Sequence, residues 1–361
     1  MKRTKQTYII AEAGVNHNGS LEMAKKLIDA AAEAGADAVK FQTFRAEALV
    51  SATAPKAEYQ KEATGAAESQ FSMLKKLELD EAAHRALAAH CRARGIQFLS
   101  TPFDEESIEL LDQRIGVPLI KVPSGEITNG PFLLKAAQTK KPIVLSTGMS
   151  TLAEVRTALG VLAFGYTSRG KKPSLAAFQD AYESKAGQRA LQAKITLLHC
   201  TTEYPAPFSE VNLRAMDTMR EAFGLPVGLS DHTQGIAISI AAAALGVSVI
   251  EKHFTLGRTL PGPDHKASLV PAELRELVIS IREVEEALGS ARKAPTKSEL
   301  KNIPVARRSL VALRDIRRGE RFTAGNLGSK RPGSGASPLR YWQMLGKKAD
   351  KNYRKNELVK L

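Results

Sequence analysis

A count constrains this chain more than any single motif does. Over its first 290 residues, eight short β-branched runs are interleaved with longer helical stretches. A short apolar run bounded by turn residues reads as a buried strand, and apolar residues recurring at i, i+3 and i+4 read as a helix. The runs predict strands at 8–11, 38–42, 97–100, 119–122, 142–146, 195–199, 226–229 and 247–252. Helices are predicted at 21–34, 81–94, 105–113, 151–162, 211–223, 237–245 and 271–288. Gly35, Gly95, Gly116, Gly224 and Gly246 each follow a helical run, where a left-handed residue is expected to end it. Eight strands with intervening helices over residues 1–290 predict an α/β fold, a closed (β/α)8 TIM barrel, with an open doubly wound sheet as the alternative.

Two stretches break the repeat. Residues 44–77 are long and polar, with Ala54-Pro-Lys-Ala-Glu-Tyr-Gln60 in the middle, and read as an active-site lid or loop subdomain. Residues 164–192 read as a polar surface excursion with a short helical piece. A polar linker at 291–303 precedes a compact segment, 304–361, with a candidate strand at 309–312. Turns fall at Arg318-Gly319 and Pro332-Gly333-Ser334-Gly335.

Composition narrows the class. Hydrophobic residues at 43% and charged residues at 25% exclude a disordered or fibrous chain. Two cysteines, Cys91 and Cys200, exclude a disulfide scaffold and suit a reducing compartment. No apolar run approaches the ~20 residues that span a bilayer, and no export signal is visible, so a cytoplasmic location without membrane attachment is expected. The net charge is +14, but residues 301–361 carry sixteen Lys and Arg against four Asp and Glu. The basic field therefore belongs to the C-terminal segment, while the first 300 residues are nearly neutral. Aromatic residues are not interleaved with those charges, so nucleic-acid binding is not expected.

A barrel places its chemistry at the carboxyl ends of its strands. There the sequence puts Glu12, Lys40 with Gln42, Thr101, Lys121 with Ser124 and Glu126, Ser146, Thr201, Ser230-Asp231-His232, and Lys252-His253. Paired ammonium groups with hydroxyls beside them suit a phosphate or carboxylate ligand. His232 and His253 end successive strands and so lie side by side, where they suit Mn, Fe, Co or Zn. The competing reading pairs them with Asp231 or a backbone carbonyl. Glu12 and Glu126 are candidates for proton transfer.

The motifs Ile10-Ala-Glu-Ala-Gly-Val-Asn-His-Asn-Gly19, Val39-Lys-Phe-Gln-Thr-Phe44 and Ser100-Thr-Pro-Phe103 resemble the sialic acid synthase family. So do Lys121-Val-Pro-Ser-Gly-Glu126, Leu145-Ser-Thr-Gly-Met149, His199-Cys-Thr-Thr-Glu-Tyr-Pro205, Gly228-Leu-Ser-Asp-His-Thr233, Glu251-Lys-His-Phe254 and Pro261-Gly-Pro-Asp-His265. Asp315-Ile-Arg-Arg-Gly-Glu320 and Lys330-Arg-Pro-Gly-Ser-Gly335 resemble the antifreeze-like (SAF) domain that those synthases carry, rich in β-strands and turns. Ser334 stands where related chains often have asparagine.

The resemblance implies condensation of phosphoenolpyruvate with an open-chain N-acetylated hexosamine, releasing phosphate by C–O cleavage. N-acetylmannosamine giving N-acetylneuraminate is the first expectation. A 2,4-diacetamido-6-deoxy hexose giving N,N'-diacetyllegionaminate is the alternative, and pseudaminate a lesser one. It further implies phosphoenolpyruvate binding by Lys40, Thr101, Lys121, Ser124, Ser146 and Ser230. Sugar binding falls to Gln42, Tyr204, Asp264 and Arg331, the last from the partner in a domain-swapped homodimer. His232 and His253 match the metal ligands, for Mn2+ first and Mg2+ or Co2+ as alternatives. Glu126 is assigned to activating water and Glu12 to moving protons near the aldehyde, roles that can be exchanged. A reading of another class remains: a barrel aldolase or phosphate-binding protein with a polyanion-binding tail.

Overall fold

A computed structural model of the chain describes residues 6–360 apart from 52, 59, 62–64, 66, 67 and 169. Met1–Lys5, and residues 52, 59, 62–64, 66 and 67 of the expected lid, thus lie outside the described residues. The chain divides into two compact units, Met1–Gly289 and Ser290–Leu361.

In the first unit, eight strands are hydrogen-bonded in the order β3-β2-β1-β8-β7-β6-β5-β4. They are β1 (Tyr8–Gly14), β2 (Ala38–Thr43), β3 (Gln97–Pro102), β4 (Ile120–Val122), β5 (Ile143–Ser146), β6 (Ile195–His199), β7 (Val227–Asp231) and β8 (Val249–His253). Every paired neighbour is parallel. β3 and β4, the ends of that order, lie alongside each other, so the sheet is a nearly closed TIM barrel. Several strands run past the expected boundaries at their carboxyl ends. The parallel ladder carries the pairing into polar residues, as in Gln42 with Thr101 and Asp231 with Lys252.

Eight helical segments follow the strands: α1 (Leu21–Ala34), α2 (Glu81–Arg94), α3 (Glu105–Glu109), α4 (Gly130–Gln138), α5 (Leu152–Thr167), α6 (Ala215–Phe223), α7 (Ala237–Ala244) and α8 (Pro271–Leu288). Local chemistry sets their ends. Ser20 accepts from Met23 N–H at the start of α1, and Asp80 accepts from Ala83 N–H at the start of α2. Gly35 and Gly95 close those helices at φ of +82° and +69°. α3 continues as a wider π-helical turn, Leu110–Ile115.

Two parts differ from the sequence expectation. α4 was not foreseen, because Gly130-Pro131 reads as a turn. In fact Asn129 caps Phe132 N–H, Pro131 sits in the first turn, and Phe132, Leu133, Ala136 and Ala137 are buried. Residues 164–192 are more than a surface excursion. α5 extends to Thr167, and helices Leu175–Glu183 and Lys185–Lys194 fold back on it. Phe178 meets Phe164 edge-on at 5.3 Å. Gly160 permits the approach, since a Cβ there would lie 2.9 Å from the Phe178 carbonyl oxygen.

The expected lid segment contains helices Ala46–Leu49 and Gln70–Lys75. Its Phe44 and Leu77 pack with Val15, against Leu49, Leu74 and Phe103. No helix among the described residues is long and apolar enough to cross a membrane.

The second unit contains helix Lys297–Ala306, which begins in the stretch read as a linker, 291–303, and runs three residues past it. An antiparallel pair follows, β9 (Ser309–Ala312) with β10 (Leu327–Lys330). Leu310, Ile316, Phe322, Leu327, Tyr353 and Val359 belong to its core. In the Lys330–Gly335 loop, a Cβ on Gly333 would lie 2.8 Å from the Cβ of Arg307, so glycine is required by close packing. Ser334, between the glycines, is exposed.

Candidate active site

Side chains two residues apart on a strand point the same way. That rule divides the barrel lumen into rings. The lower ring contains Ile10, Ala38, Leu99, Val144, Leu198 and Val249, all buried together. Two residues onward come Glu12, Lys40, Thr101, Lys121, Ser146, Cys200, Ser230 and Glu251, which line one cavity. A further step brings Gln42, Phe103, Thr202, His232 and His253 to its wall. At the same height β5 is followed by Gly148, where a Cβ would fall 2.3 Å from Thr202 Oγ1 and 2.8 Å from Ser124 Oγ. The cavity measures about 320 Å3, at the small end of the ~300–1,000 Å3 usual for small-ligand sites. Leu49, Val50, Met73, Leu74 and Leu77 of the lid segment, with Val15, give it an apolar wall.

The second ring is a buried ionic cluster. Lys40 Nζ lies 2.5 Å from Glu12 Oε2 and 3.6 Å from Glu251 Oε2, and donates to Thr101 Oγ1 at 2.8 Å. Lys121 Nζ donates to Glu251 Oε1 at 3.1 Å, an oxygen that also accepts from Ser230 Oγ at 2.8 Å. None of the four charged residues is more than 4% exposed. Burial pushes the Glu12 carboxyl up to about 7, only partly offset by Lys40. Burial acts in the same direction on Glu251, but Lys121 and Lys40 together outweigh it and hold that carboxylate well below its ordinary range. Burial lowers Lys121. Lys40 is also opposed by burial, yet the charges of Glu12 and Glu251 raise it. The two carboxyls are thereby pushed apart, one a weak acid and the other firmly ionised.

Above the cluster, the His232 and His253 ring centroids are 5.7 Å apart. His232 Nδ1 sits 2.6 Å from the Thr201 carbonyl oxygen, so Nδ1 carries the proton and Nε2 keeps a lone pair. That Nε2 lies 3.2 Å from Ser230 Oγ. Burial lowers His232 to about 4 and holds His253 well below its ordinary value, so both rings are neutral. His253 Nδ1 is buried with no hydrogen-bond partner, 3.9 Å from Asp264 Oδ2. Burial pushes Asp264 up to about 6. Tyr204 packs at 4.2 Å on His232 and edge-on at 5.6 Å to His253.

These residues fit a divalent ion. Neutral rings present lone pairs, one buried ring nitrogen has no partner, and the spacing is under the ~6.5 Å that two imidazoles at ~2.1 Å from one ion can span. The Thr201 carbonyl fixes the His232 tautomer as the outer partner of a ligating histidine does. Among the described residues no group of three or more His, Cys, Asp or Glu side chains is placed to hold a metal, so substrate or water would complete the coordination.

The structure brings together Glu12, Lys40, Gln42, Thr101, Lys121, Ser124, Ser146, Tyr204, Ser230, His232, His253 and Asp264 in this one cavity. Ser124 Oγ accepts from Gly148 N–H at 3.0 Å and lies 3.2 Å from Cys200 Sγ. Glu126 does not join them. A 3-10 turn, Ser124–Glu126, turns its carboxylate to accept from Asn129 at 2.6 Å, away from the cavity wall. Lys252 faces out of the lumen and pairs with Asp231. Arg331 is exposed on the second unit. The residue that sequence reading passed over is Glu251. Counting back two from His253 along the same strand would have found it.

Residues 27–293 match the NeuB family and residues 307–361 match the SAF domain. The chain is 53% identical to an N,N'-diacetyllegionaminic acid synthase of Campylobacter jejuni over 99% of both chains. It is 45% identical to a protein of that name from Legionella pneumophila, over 96% of this chain and 91% of the other. Among solved structures, an N-acetylneuraminic acid synthetase of Leptospira borgpetersenii in complex with citrate superposes with a TM-score of 0.65. It is 31% identical, over 82% of this chain and 90% of that one. The chain therefore belongs to the NeuB family and carries a C-terminal SAF domain, the sialic acid synthase architecture that its motifs resemble.

Proposed function

We propose that this protein condenses phosphoenolpyruvate with a 2,4-diacetamido-6-deoxy hexose, as the open-chain aldehyde, to give N,N'-diacetyllegionaminate and phosphate. The observation that carries the reaction is the ring of Lys40, Lys121 and hydroxyls directly beneath two neutral imidazoles in one cavity. The choice of sugar revises the expectation of N-acetylmannosamine. It is supported by the names of the Campylobacter and Legionella relatives. It is also supported by the apolar wall of Val15, Leu49, Leu74 and Leu77, which suits a 6-methyl group and a second acetamido methyl better than hydroxyls.

Phosphoenolpyruvate is a small trianion, and Lys40 and Lys121 would neutralise it, with Thr101, Ser124, Ser146 and Ser230 donating hydrogen bonds. Both lysines already face carboxylates. Adding an anion therefore favours a proton on the stronger base of the two carboxylates, which is Glu12 at about 7. Carbon 3 of the enol phosphate attacks the aldehyde carbon, and protonated Glu12 supplies a proton to the oxygen that becomes a hydroxyl. Water adds to the cation-like carbon 2 and gives its proton to Glu251, held ionised between the lysines. The tetrahedral intermediate then breaks its C2–O bond to phosphate, its hydroxyl becoming the keto oxygen as that proton leaves with the phosphate, and the proton held by Glu251 returns to Glu12 to restore the starting state. Glu251 takes the role first assigned to Glu126, which lies outside the cavity. His232 and His253 would hold a divalent cation, Mn2+ first and Mg2+ or Co2+ as alternatives, and when bound it supplies Lewis-acid polarisation of the aldehyde. Gln42, Tyr204 and Asp264 would position the sugar.

Phosphate release with phosphoenolpyruvate and Mn2+ tests this reading. The 2,4-diacetamido sugar should turn over in preference to N-acetylmannosamine, and chelator should stop it. Equal or better use of N-acetylmannosamine would overturn the sugar assignment. Oxygen-18 from water should appear in the keto acid; label in the phosphate would exclude C–O cleavage. Arg331 would serve as a sugar ligand supplied across a homodimer. Arg331→Ala should then raise KM for the sugar and leave KM for phosphoenolpyruvate unchanged.

A further inference from the structure

His232 lies one residue past the end of β7, beyond the last β7–β8 ladder pair, Asp231 with Lys252. The sheet alone therefore does not fix it. What grips its neighbours is a buried network on the outer face of the barrel. Asp231 Oδ1 accepts from Thr233 N–H at 2.9 Å and Thr233 Oγ1 at 2.7 Å. Asp231 Oδ2 accepts from Ser239 Oγ at 2.6 Å and lies 3.0 Å from Lys252 Nζ. Lys252 Nζ also donates to the Thr233 carbonyl oxygen at 2.5 Å. One ammonium group thus holds the residues on both sides of His232. That same lysine sits between Glu251 and His253 in the chain. Asp231 is 2% exposed and Lys252 1%.

We infer that Asp231 and Lys252 are positioning residues, a clamp on the dry side of the strands that sets the separation of the two imidazoles facing the cavity. This rests on the reading that both imidazoles hold one divalent ion. A buried ion pair is weak evidence for stability, because replacing both partners by uncharged residues of similar size is often neutral. Geometry is what the pair supplies. Alternation makes the link mechanical, since whatever shifts residues 231 and 252 tilts 232 and 253 with them. Asp231, Thr233, Ser239 and Lys252 do not line the cavity, so the clamp acts through the histidines.

The test uses the full-length chain and Mn2+ alone, with bound metal read by electron paramagnetic resonance and metal-free unfolding read by thermal melting. The double variant Asp231→Asn/Lys252→Met keeps the acceptor for Thr233 N–H and removes both charges together. It should melt within about 4 °C of the parent yet bind Mn2+ about 10- to 100-fold more weakly, the usual cost of losing a ligand's supporting partner. Parent-like affinity at a parent-like melting temperature would overturn the inference. If the double variant does not fold, Ser239→Ala removes a single donor to Asp231 and should weaken Mn2+ about threefold or more; unchanged affinity there would equally overturn it. His232→Ala is the control for the underlying reading. Should the parent and that variant bind Mn2+ alike, the metal site itself is refuted, whatever the clamp variants do.

Discussion

Two rings of side chains share the same lumen one strand period apart, and they differ in everything except backbone. The lower ring, with Ile10, Leu99, Val144 and Leu198, is apolar and gains stability from exclusion of water. The upper ring puts two lysines and two glutamates into an equally dry place, where charges are costly to bury even when paired. A chain selected for stability alone would continue the lower ring upward. The contrast locates the chemistry without reference to any motif, because stability is given up only where the buried charges do something else.

That contrast can be broken most sharply at Lys40. Lys40→Met should lower kcat/KM about a thousandfold, or ~4 kcal/mol, by removing a buried cation from the anion site. Steady-state phosphate release reads it, and a loss under tenfold would mean that the upper ring is not the binding ring. The lower ring should respond in the opposite sense. Leu198→Ala should cost about 3 kcal/mol of stability through an unfilled cavity, measured by denaturant melts, while kcat/KM per folded molecule stays within about twofold.

A smaller effect separates the two carboxyls of the upper ring. Burial raises Glu12 from 4.5 to about 7. A carboxyl whose folded pKa lies above its unfolded value contributes its full stability below pH 4.5 and loses it as pH rises through 7. Glu12→Gln stays neutral throughout, so between pH 4.5 and 7 the stability difference should tilt steadily toward the variant. A pH-independent difference in melting temperature would show that Glu12 does not titrate there. Cys200 should matter least. Cys200→Ser keeps a small polar group beside Ser124 Oγ, and kcat/KM is expected within about threefold of the parent.

Much of the fold was legible. Helices 21–34 and 81–94 were bounded to the residue, because a capping Ser20 or Asp80 and a terminating glycine flank an unbroken apolar period. α4 was missed for the converse reason. It is nine residues long, opens on Gly-Pro, and is held by packing of Phe132 and Leu133 more than by its local pattern. Helix Leu175–Glu183 likewise depends on Gly160 letting Phe178 approach α5.

The site was legible as a set of strand-end residues but not as a set of directions. Glu126 and Glu251 look equivalent in the chain: each is a glutamate close to a lysine near the end of a strand. One is carried outward by a 3-10 turn to Asn129, and the other points inward between two lysines. Lys252 and Lys121 divide in the same way, one clamping Asp231 and the other facing the cavity.

The sequence by itself determined the eight strands, the basic charge of the C-terminal segment, and which residue types gather at the strand ends. Those are local properties, encoded by period, caps and composition. Only the nearly closed barrel decided which of neighbouring side chains faces the lumen and which faces the helices. A strand exposes both faces equally until its neighbours pair with it, and a shift of one residue would exchange Glu251 and His253 for Lys252.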